Sequence, residues 1–273
     1  MSKSKILIIQ NAPKINAKTQ NLKDIEKMLE PHAGKDFDLI ILPELFAVGW
    51  HPEAFVENAE TPDNSPTLNL LKGIAQKFNS NVIGGSYVLK EGENIYRNAC
   101  PFIDRKGNIL GQYYKMHLFS HFKYNEGKYI KAGENGLIIN SDIGKIGLSI
   151  CYDIRFPELF RTYAYAEADL LVEVAAWPKY RKNHWETLTK ARAIENQTYM
   201  IAVSQSGHII DEEWNLGHSL VIEPYGETVS QTGFEACTHI IEIDITEAKK
   251  LKQNFPILKD RKSLPYTTKE ILN

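Results

Sequence analysis

Apolar residues recur along this chain with two alternating spacings. The runs "KILIIQ" (5–10) and "DLIILPE" (38–44) are apolar at nearly every position. After each, apolar residues return every three or four positions: Leu22, Ile25, Met28 and Leu29, then Leu68, Leu71, Ala75 and Phe78. A continuous apolar run predicts a strand covered on both faces, and the wider spacing predicts a helix laid with one face on a sheet. Between 81 and 115 the pattern becomes strand after strand, with turns at Glu91-Gly92-Glu93-Asn94 and Arg105-Lys106-Gly107-Asn108. Helical spacing returns at 157–168 and 183–197, on either side of the strand "DLLVEVAA" (169–176). The last third predicts strands in "YMIAVSQ" (199–205), "HSLVIEPYGETV" (218–229) and "THIIEIDI" (238–245), the second of them folded at Tyr225-Gly226. Helices flanking a strand-rich middle predict an α/β fold, a four-layer α/β/β/α sandwich of two mixed sheets with helices outside. No Pro-, Gly- or Ser-rich linker interrupts it, so residues 1–273 read as one domain.

Composition narrows the function more than the fold. The chain has 273 residues, 43% hydrophobic and 24% charged, enough apolar material for a real core. Its formal net charge is −2, without blocks of like charge or a basic stripe, which argues against nucleic acid and anionic membranes as partners. The N-terminus "MSKSKILIIQNAPKINAK" holds an apolar run too short for a signal peptide, and no later run approaches a membrane span, so a cytoplasmic location is expected. Cys100, Cys151 and Cys237 are odd in number and far apart, which suggests neither a disulfide framework nor a zinc site. No cofactor or metal is implied.

The stretch "GLSICYDIRFPELF" (147–160) sets Cys151 where a strand gives way to a helix. "KIGLSIC" (145–151) reads as the strand and Pro157 suits the first helical turn, so the thiol is expected at the C-terminal edge of its sheet, where α/β sheets bind ligands. A free cysteine is usually a small core hydrophobe; to act as a nucleophile it needs a base and oxyanion donors. Backbone N–H groups starting at Tyr152 are candidate donors. Glu44, directly after an apolar strand, is either the base or a solvated loop acid. Lys115, closing "NILGQYYK", is either the stabilising cation or a solvated strand tip. Arg155 can meet a substrate carboxylate or pair with an acid of the scaffold, and a scaffold role is expected, since side chains in that turn can point away from a pocket. Trp177 either walls a pocket or fills core. His117 and His184 read as structural, and Cys100 and Cys237 as inert strand thiols.

Three segments in order, "LPELF" (42–46), "YYKMHLF" (113–119) and "SICYDIRFPELFR" (149–161), resemble the Glu, Lys and Cys signatures of the nitrilase superfamily, the carbon–nitrogen hydrolases. The likeness continues through "AAWP", "HWETLTKARAIENQTYMIAVSQSG" and "GHSLVIEPYGE", and "CYDIRFPEL" looks like the omega-amidase branch. This resemblance implies Glu44 as general base, Lys115 as oxyanion stabiliser, Cys151 as nucleophile and Glu126 as the family's second glutamate. Tyr152, Trp177 and Arg155 would then contact substrate. The implied reaction releases ammonia from a small dicarboxylic acid monoamide, such as 2-oxoglutaramate or 2-oxosuccinamate, through a cysteine thioester, and the implied assembly is a homodimer or higher homo-oligomer. Rival readings are a deaminated-glutathione amidase, an N-carbamoyl hydrolase, a non-catalytic relative kept for protein interaction, and a subunit that donates ammonia to a partner chain.

Overall fold

A computed structural model describes residues 3–121, 123–209 and 212–262. The chain first lays down β1 (Ser4–Gln10), helix α1 (Lys18–Leu29), β2 (Leu39–Ile41), helix α2 (Pro66–Lys77), β3 (Asn81–Ile83), β4 (Tyr87–Gly92), β5 (Ile95–Ile103) and β6 (Ile109–Tyr114). A second sheet follows with β7 (Leu137–Ser141), β8 (Gly144–Ile150), helix α3 (Pro157–Tyr165), β9 (Leu170–Ala175), helix α4 (Lys182–Asn196), β10 (Tyr199–Ser204), β11 (Leu220–Ile222) and β12 (Thr228–Gln231). Strand β13 (Cys237–Ile243) then returns to pair antiparallel with β1, and helix α5 (Thr246–Asn254) follows it.

The first sheet runs β13-β1-β2-β3-β5-β4 with β6 also on β5, and the second runs β12-β11-β10-β9-β8-β7. In each the centre is parallel, β1-β2-β3 and β8-β9-β10, and the flanks are antiparallel, so both sheets are mixed. The alternation of side chains explains why the strands are apolar throughout. Ile6, Ile8, Leu39 and Ile41 join Leu148, Ile150 and Val172 in the core between the sheets. Leu7, Ile9, Ile40 and Leu42 pack instead with Ile25, Leu29, Leu71 and Phe78 of the outer helical layer. The four-layer α/β/β/α sandwich is therefore the observed architecture.

Some boundaries differ from the sequence reading. The strand expected over 38–44 ends at Ile41, because Pro43 cannot donate to a ladder and Leu45 turns into the left-handed region at φ 47°. The 157–168 helix ends at Tyr165, and α5 has no counterpart in the pattern, its buried contacts being only Ala248 and Leu251. The single-domain reading over 1–273 extends at both ends past the described residues.

One glycine fixes the turn that carries Glu44. Gly85 sits at φ 58° between β3 and β4, and a Cβ there would lie 2.0 Å from the Pro43 carbonyl oxygen. The next residue, Ser86, accepts a 3.0 Å hydrogen bond from the Leu45 N–H. Gly85→Ala must move backbone rather than a flexible side chain, so it should destabilise the protein by about 3 kcal/mol. Denaturant unfolding checks this; a change under about 0.5 kcal/mol, the range of an ordinary surface substitution, would contradict it.

Candidate active site

The C-terminal ends of β2, β8 and β9 meet the end of β6, and each supplies one group. Glu44 follows β2, Lys115 follows β6, Cys151 follows β8, and Ala176 and Trp177 follow β9. Glu126 comes from a short 3-10 turn, Glu126–Lys128, in the segment after β6. Lys115 is no solvated tip: its ammonium is fully buried, 2.9 Å from Glu44 Oε1 and 3.0 Å from Glu126 Oε1. Both carboxylates are likewise sealed from solvent.

Burying an ammonium with two carboxylates requires that their remaining valences be satisfied. The Asn98 amide donates to Glu44 Oε1 at 2.8 Å, and the Ala176 N–H donates to Glu44 Oε2 at 2.9 Å. The Trp50 indole donates to Glu126 Oε1 at 2.8 Å, and the Phe119 N–H to Glu126 Oε2 at 2.7 Å. The backbone joins them too, since the Lys115 N–H donates to the Asn98 carbonyl. Burial opposes charge on Lys115, yet Glu126 and Glu44 win and hold its ammonium well above the usual lysine range. Burial pushes the Glu126 carboxyl up; Lys115 pulls it back, and the neighbouring Glu44 adds to the rise.

Cys151 stands beside this cluster and lines a cavity of about 540 Å³. It opens a 3-10 turn, Cys151–Arg155, and has φ 51°, a left-handed backbone that costs a non-glycine residue about 1–2 kcal/mol. Such a sharp strand-to-helix turn lifts a side chain off the sheet end, the geometry of the nucleophile elbow in α/β-hydrolases. The turn is held by Asp153, whose Oδ2 accepts from the Ile150 N–H at 2.9 Å and the Tyr113 hydroxyl at 2.7 Å. The Cys151 Sγ lies 3.9 Å from the Ala176 carbonyl oxygen, within reach of a weak S–H hydrogen bond. Burial raises the thiol's pKa well above its ordinary value, Glu44 raises it further, and Lys115 only partly opposes them.

The seven residues that the sequence assigned to catalysis or substrate contact come together here. Glu44, Lys115 and Glu126 form the buried cluster, and Tyr152, Arg155 and Trp177 line the cavity with Cys151. Trp177 is both wall and core, 2% exposed and packed on Trp185. The expectation that Arg155 pairs with a scaffold acid is corrected: among the described residues no carboxylate lies within ion-pair distance of it. Its guanidinium stacks 4.9 Å over Trp177 and meets His184 Nδ1 at 3.3 Å. His117 is structural as expected, bound through Nδ1 to Asp153 Oδ1 at 2.7 Å. His121, four residues on, meets the Tyr152 hydroxyl instead. Cys100 is fully buried in β5, and burial raises its thiol; Cys237 begins β13 half-buried. Sequence reasoning missed Asn98, Trp50 and Asp153. Only Asn98 left a signal, a lone amide inside the apolar half of "IYRNACPFI".

The carbon–nitrogen hydrolase family profile matches residues 5–253. The chain is 35% identical over 248 residues to the 2-oxoglutaramate amidase of Bacillus subtilis, covering 90% of this chain and 93% of that protein. It is 31% identical over 280 residues to the deaminated glutathione amidase of Dictyostelium discoideum, covering 96% and 95%. Its fold superposes with TM-score 0.89 and 29% identity on a CN-hydrolase superfamily protein of Xanthomonas campestris, solved with an arsenic adduct in its active site, covering 98% of this chain and 100% of that one. With Saccharomyces cerevisiae Nit3, a member of branch 10 of the nitrilase superfamily, the TM-score is 0.83 at 26% identity, covering 94% and 95%. The chain therefore belongs to the carbon–nitrogen hydrolases, in the omega-amidase-like branch of the nitrilase superfamily, and is a hydrolase of carbon–nitrogen bonds.

Proposed function

We propose that this protein is an omega-amidase, releasing ammonia from the terminal amide of a small dicarboxylic acid monoamide such as 2-oxoglutaramate or 2-oxosuccinamate. One observation carries the chemistry: a buried lysine shared by two buried carboxylates stands beside a cysteine that faces a cavity. In this reading the Glu44 carboxylate takes the thiol proton as Cys151 sulfur bonds to the amide carbon, and the oxyanion is held by the Lys115 ammonium and the Tyr152 N–H. Glu44 returns the proton to the amide nitrogen as the C–N bond breaks and ammonia leaves. It then deprotonates water, which attacks the thioester, and the proton goes back to sulfur as the acid departs. Glu126 positions the ammonium.

The acidic substrate rests on Arg155. A half-buried guanidinium between Trp177 and Tyr152, without a carboxylate partner among the described residues, suits a carboxylate of the substrate. Burial lowers the Arg155 pKa, and an anion beside it would offset that cost. The 2-oxoglutaramate amidase of Bacillus subtilis supports this class. The deaminated glutathione amidase reading keeps a place because the 540 Å³ cavity exceeds what a four- or five-carbon monoamide fills. No helix among the described residues is long and apolar enough to cross a membrane. We extend the proposal to one hydrolase domain over 1–273 acting in the cytoplasm as a homodimer or higher homo-oligomer, on the strength of the family resemblance.

The reading is tested by kcat/KM for succinamic acid against butyramide, with Cys151→Ala as the control expected to lose turnover while keeping its fold. Succinamic acid should be strongly preferred; butyramide within about threefold of it, less than one pocket interaction normally gives, would remove the acidic-substrate assignment. Ammonia release by Cys151→Ala near the wild-type rate would remove the covalent mechanism. A panel adding deaminated glutathione and an N-carbamoyl amino acid separates the enzymatic rivals, and copurification of a synthase chain would mark the ammonia-donating one.

Lys115→Ala should reduce kcat about a hundredfold or more, the scale of a lost oxyanion donor. It should also destabilise the fold by about 3–5 kcal/mol, since two buried carboxylates lose their cation. A variant keeping over half the activity returns Lys115 to a structural role. The raised thiol pKa gives a pH prediction with a definite sign. Because the thiol titrates above its ordinary value, inactivation by iodoacetamide should still be accelerating at pH 9. A plateau reached below pH 8 would mean a preformed thiolate and contradict the geometry.

A further inference from the structure

The cavity holds a second guanidinium that amide chemistry does not use. Arg181 lines it together with Cys151 and Arg155. Trp177 couples the two arginines: its indole face carries the Arg155 guanidinium at 4.9 Å, and its N–H donates to the Arg181 carbonyl at 3.0 Å. The Trp177 side chain is itself almost fully buried, and its bond to Arg181 holds that residue's backbone at the cavity. The Arg181 guanidinium extends 5.5 Å over the Phe119 ring, and the Phe119 N–H is one of the donors that hold Glu126. Arg181 thus joins the segment after β9 to Phe119, which also lines the cavity, and its guanidinium packs on Tyr180 as well, 5.1 Å from that ring.

Two like charges facing one largely aromatic cavity repel, and the proximity of Arg181 is, after burial, the chief cause of the lowered Arg155 pKa. Glu213 also lines the cavity, as does Lys123. An anion between the guanidiniums would relieve their repulsion. A single guanidinium grips a carboxylate from one side; a second in the same cavity fixes its position as well as its charge.

We propose that Arg181 is a specificity-determining residue which, with Arg155, forms a two-guanidinium subsite for the distal carboxylate of the acyl chain. The proposal rests on the acidic-substrate reading above and extends it: selection for charge is shared between Arg155 and a second arginine lining the same cavity.

Two readouts test it, the ratio of kcat/KM for succinamic acid to that for butyramide, and protection of Cys151 from iodoacetamide by succinate. Arg181→Gln should lower the ratio at least about tenfold, the scale of a lost charged hydrogen bond, mainly through KM for succinamic acid. The same variant should need about tenfold more succinate for equal protection. Arg181→Lys, which keeps the charge without the fork, should recover part of both. Ratio and protection within about twofold of wild type in Arg181→Gln would overturn the role of Arg181 and leave the amidase reading standing. An equal fall for both substrates would overturn it too, by making Arg181 a support of the scaffold. If the wild type shows neither preference for succinamic acid nor protection by succinate, the acidic-substrate reading and this proposal fall together.

Discussion

The ammonium of Lys115, shared by Glu44 and Glu126, is the constraint around which the rest of this site is arranged. Three charges without solvent access survive only if each is paired and hydrogen-bonded. The partners come from widely separated parts of the chain. Asn98 lies in β5, Trp50 follows the Glu44 turn, Phe119 follows β6 and Ala176 follows β9. Satisfying the cluster therefore ties both sheets to the segment after β6, and the same bonds that make the burial tolerable fix the carboxylates in place. Gly85 and Ser86 serve this arrangement from behind, by holding the Pro43–Leu45 turn.

Cys151 depends on the cluster electrically as well as sterically. Burial and the nearby Glu44 keep the thiol protonated, while Lys115 pulls the other way. A protonated thiol beside a carboxylate fits proton removal during attack rather than a standing thiolate. The left-handed backbone at Cys151 is held by Asp153, which also accepts the His117 N–H at 2.9 Å, so strain at the proposed nucleophile and the course of the chain after Lys115 share one carboxylate.

Most of the architecture was legible because strands buried on both faces and helices buried on one leave distinct apolar spacings. Strand ends were less so: the 38–44 run stays apolar through Leu42 although the strand ends at Ile41, just before Pro43 and Leu45 turn the backbone. Helix α5 was invisible because two buried residues make no periodic face. At the site, Glu44 and Cys151 could be read as strand-end groups, and the resemblance joined them to Lys115 and Glu126. The burial of Lys115 could not be read, since its partners lie 71 and 11 residues away and a polar residue after a strand looks like any solvated tip. Asn98, Trp50 and Asp153 become meaningful only through cross-strand register and loop packing. Side-chain direction alone points Arg155 to the scaffold, but the strand-to-helix turn aims it at Trp177 and the cavity, where no described acid meets it.

In the proposed reaction Cys151 carries the acyl group. Intact-mass measurement of protein quenched in acid during turnover of succinamic acid tests it directly. A succinyl thioester should add about 100 Da, the mass gained when the acyl group replaces the thiol hydrogen. Peptide mapping should place that addition on Cys151, and hydroxylamine should remove it. Ammonia release with no addition to Cys151 under conditions where hydrolysis of the acyl enzyme is slow, or an addition on another residue, would contradict the account.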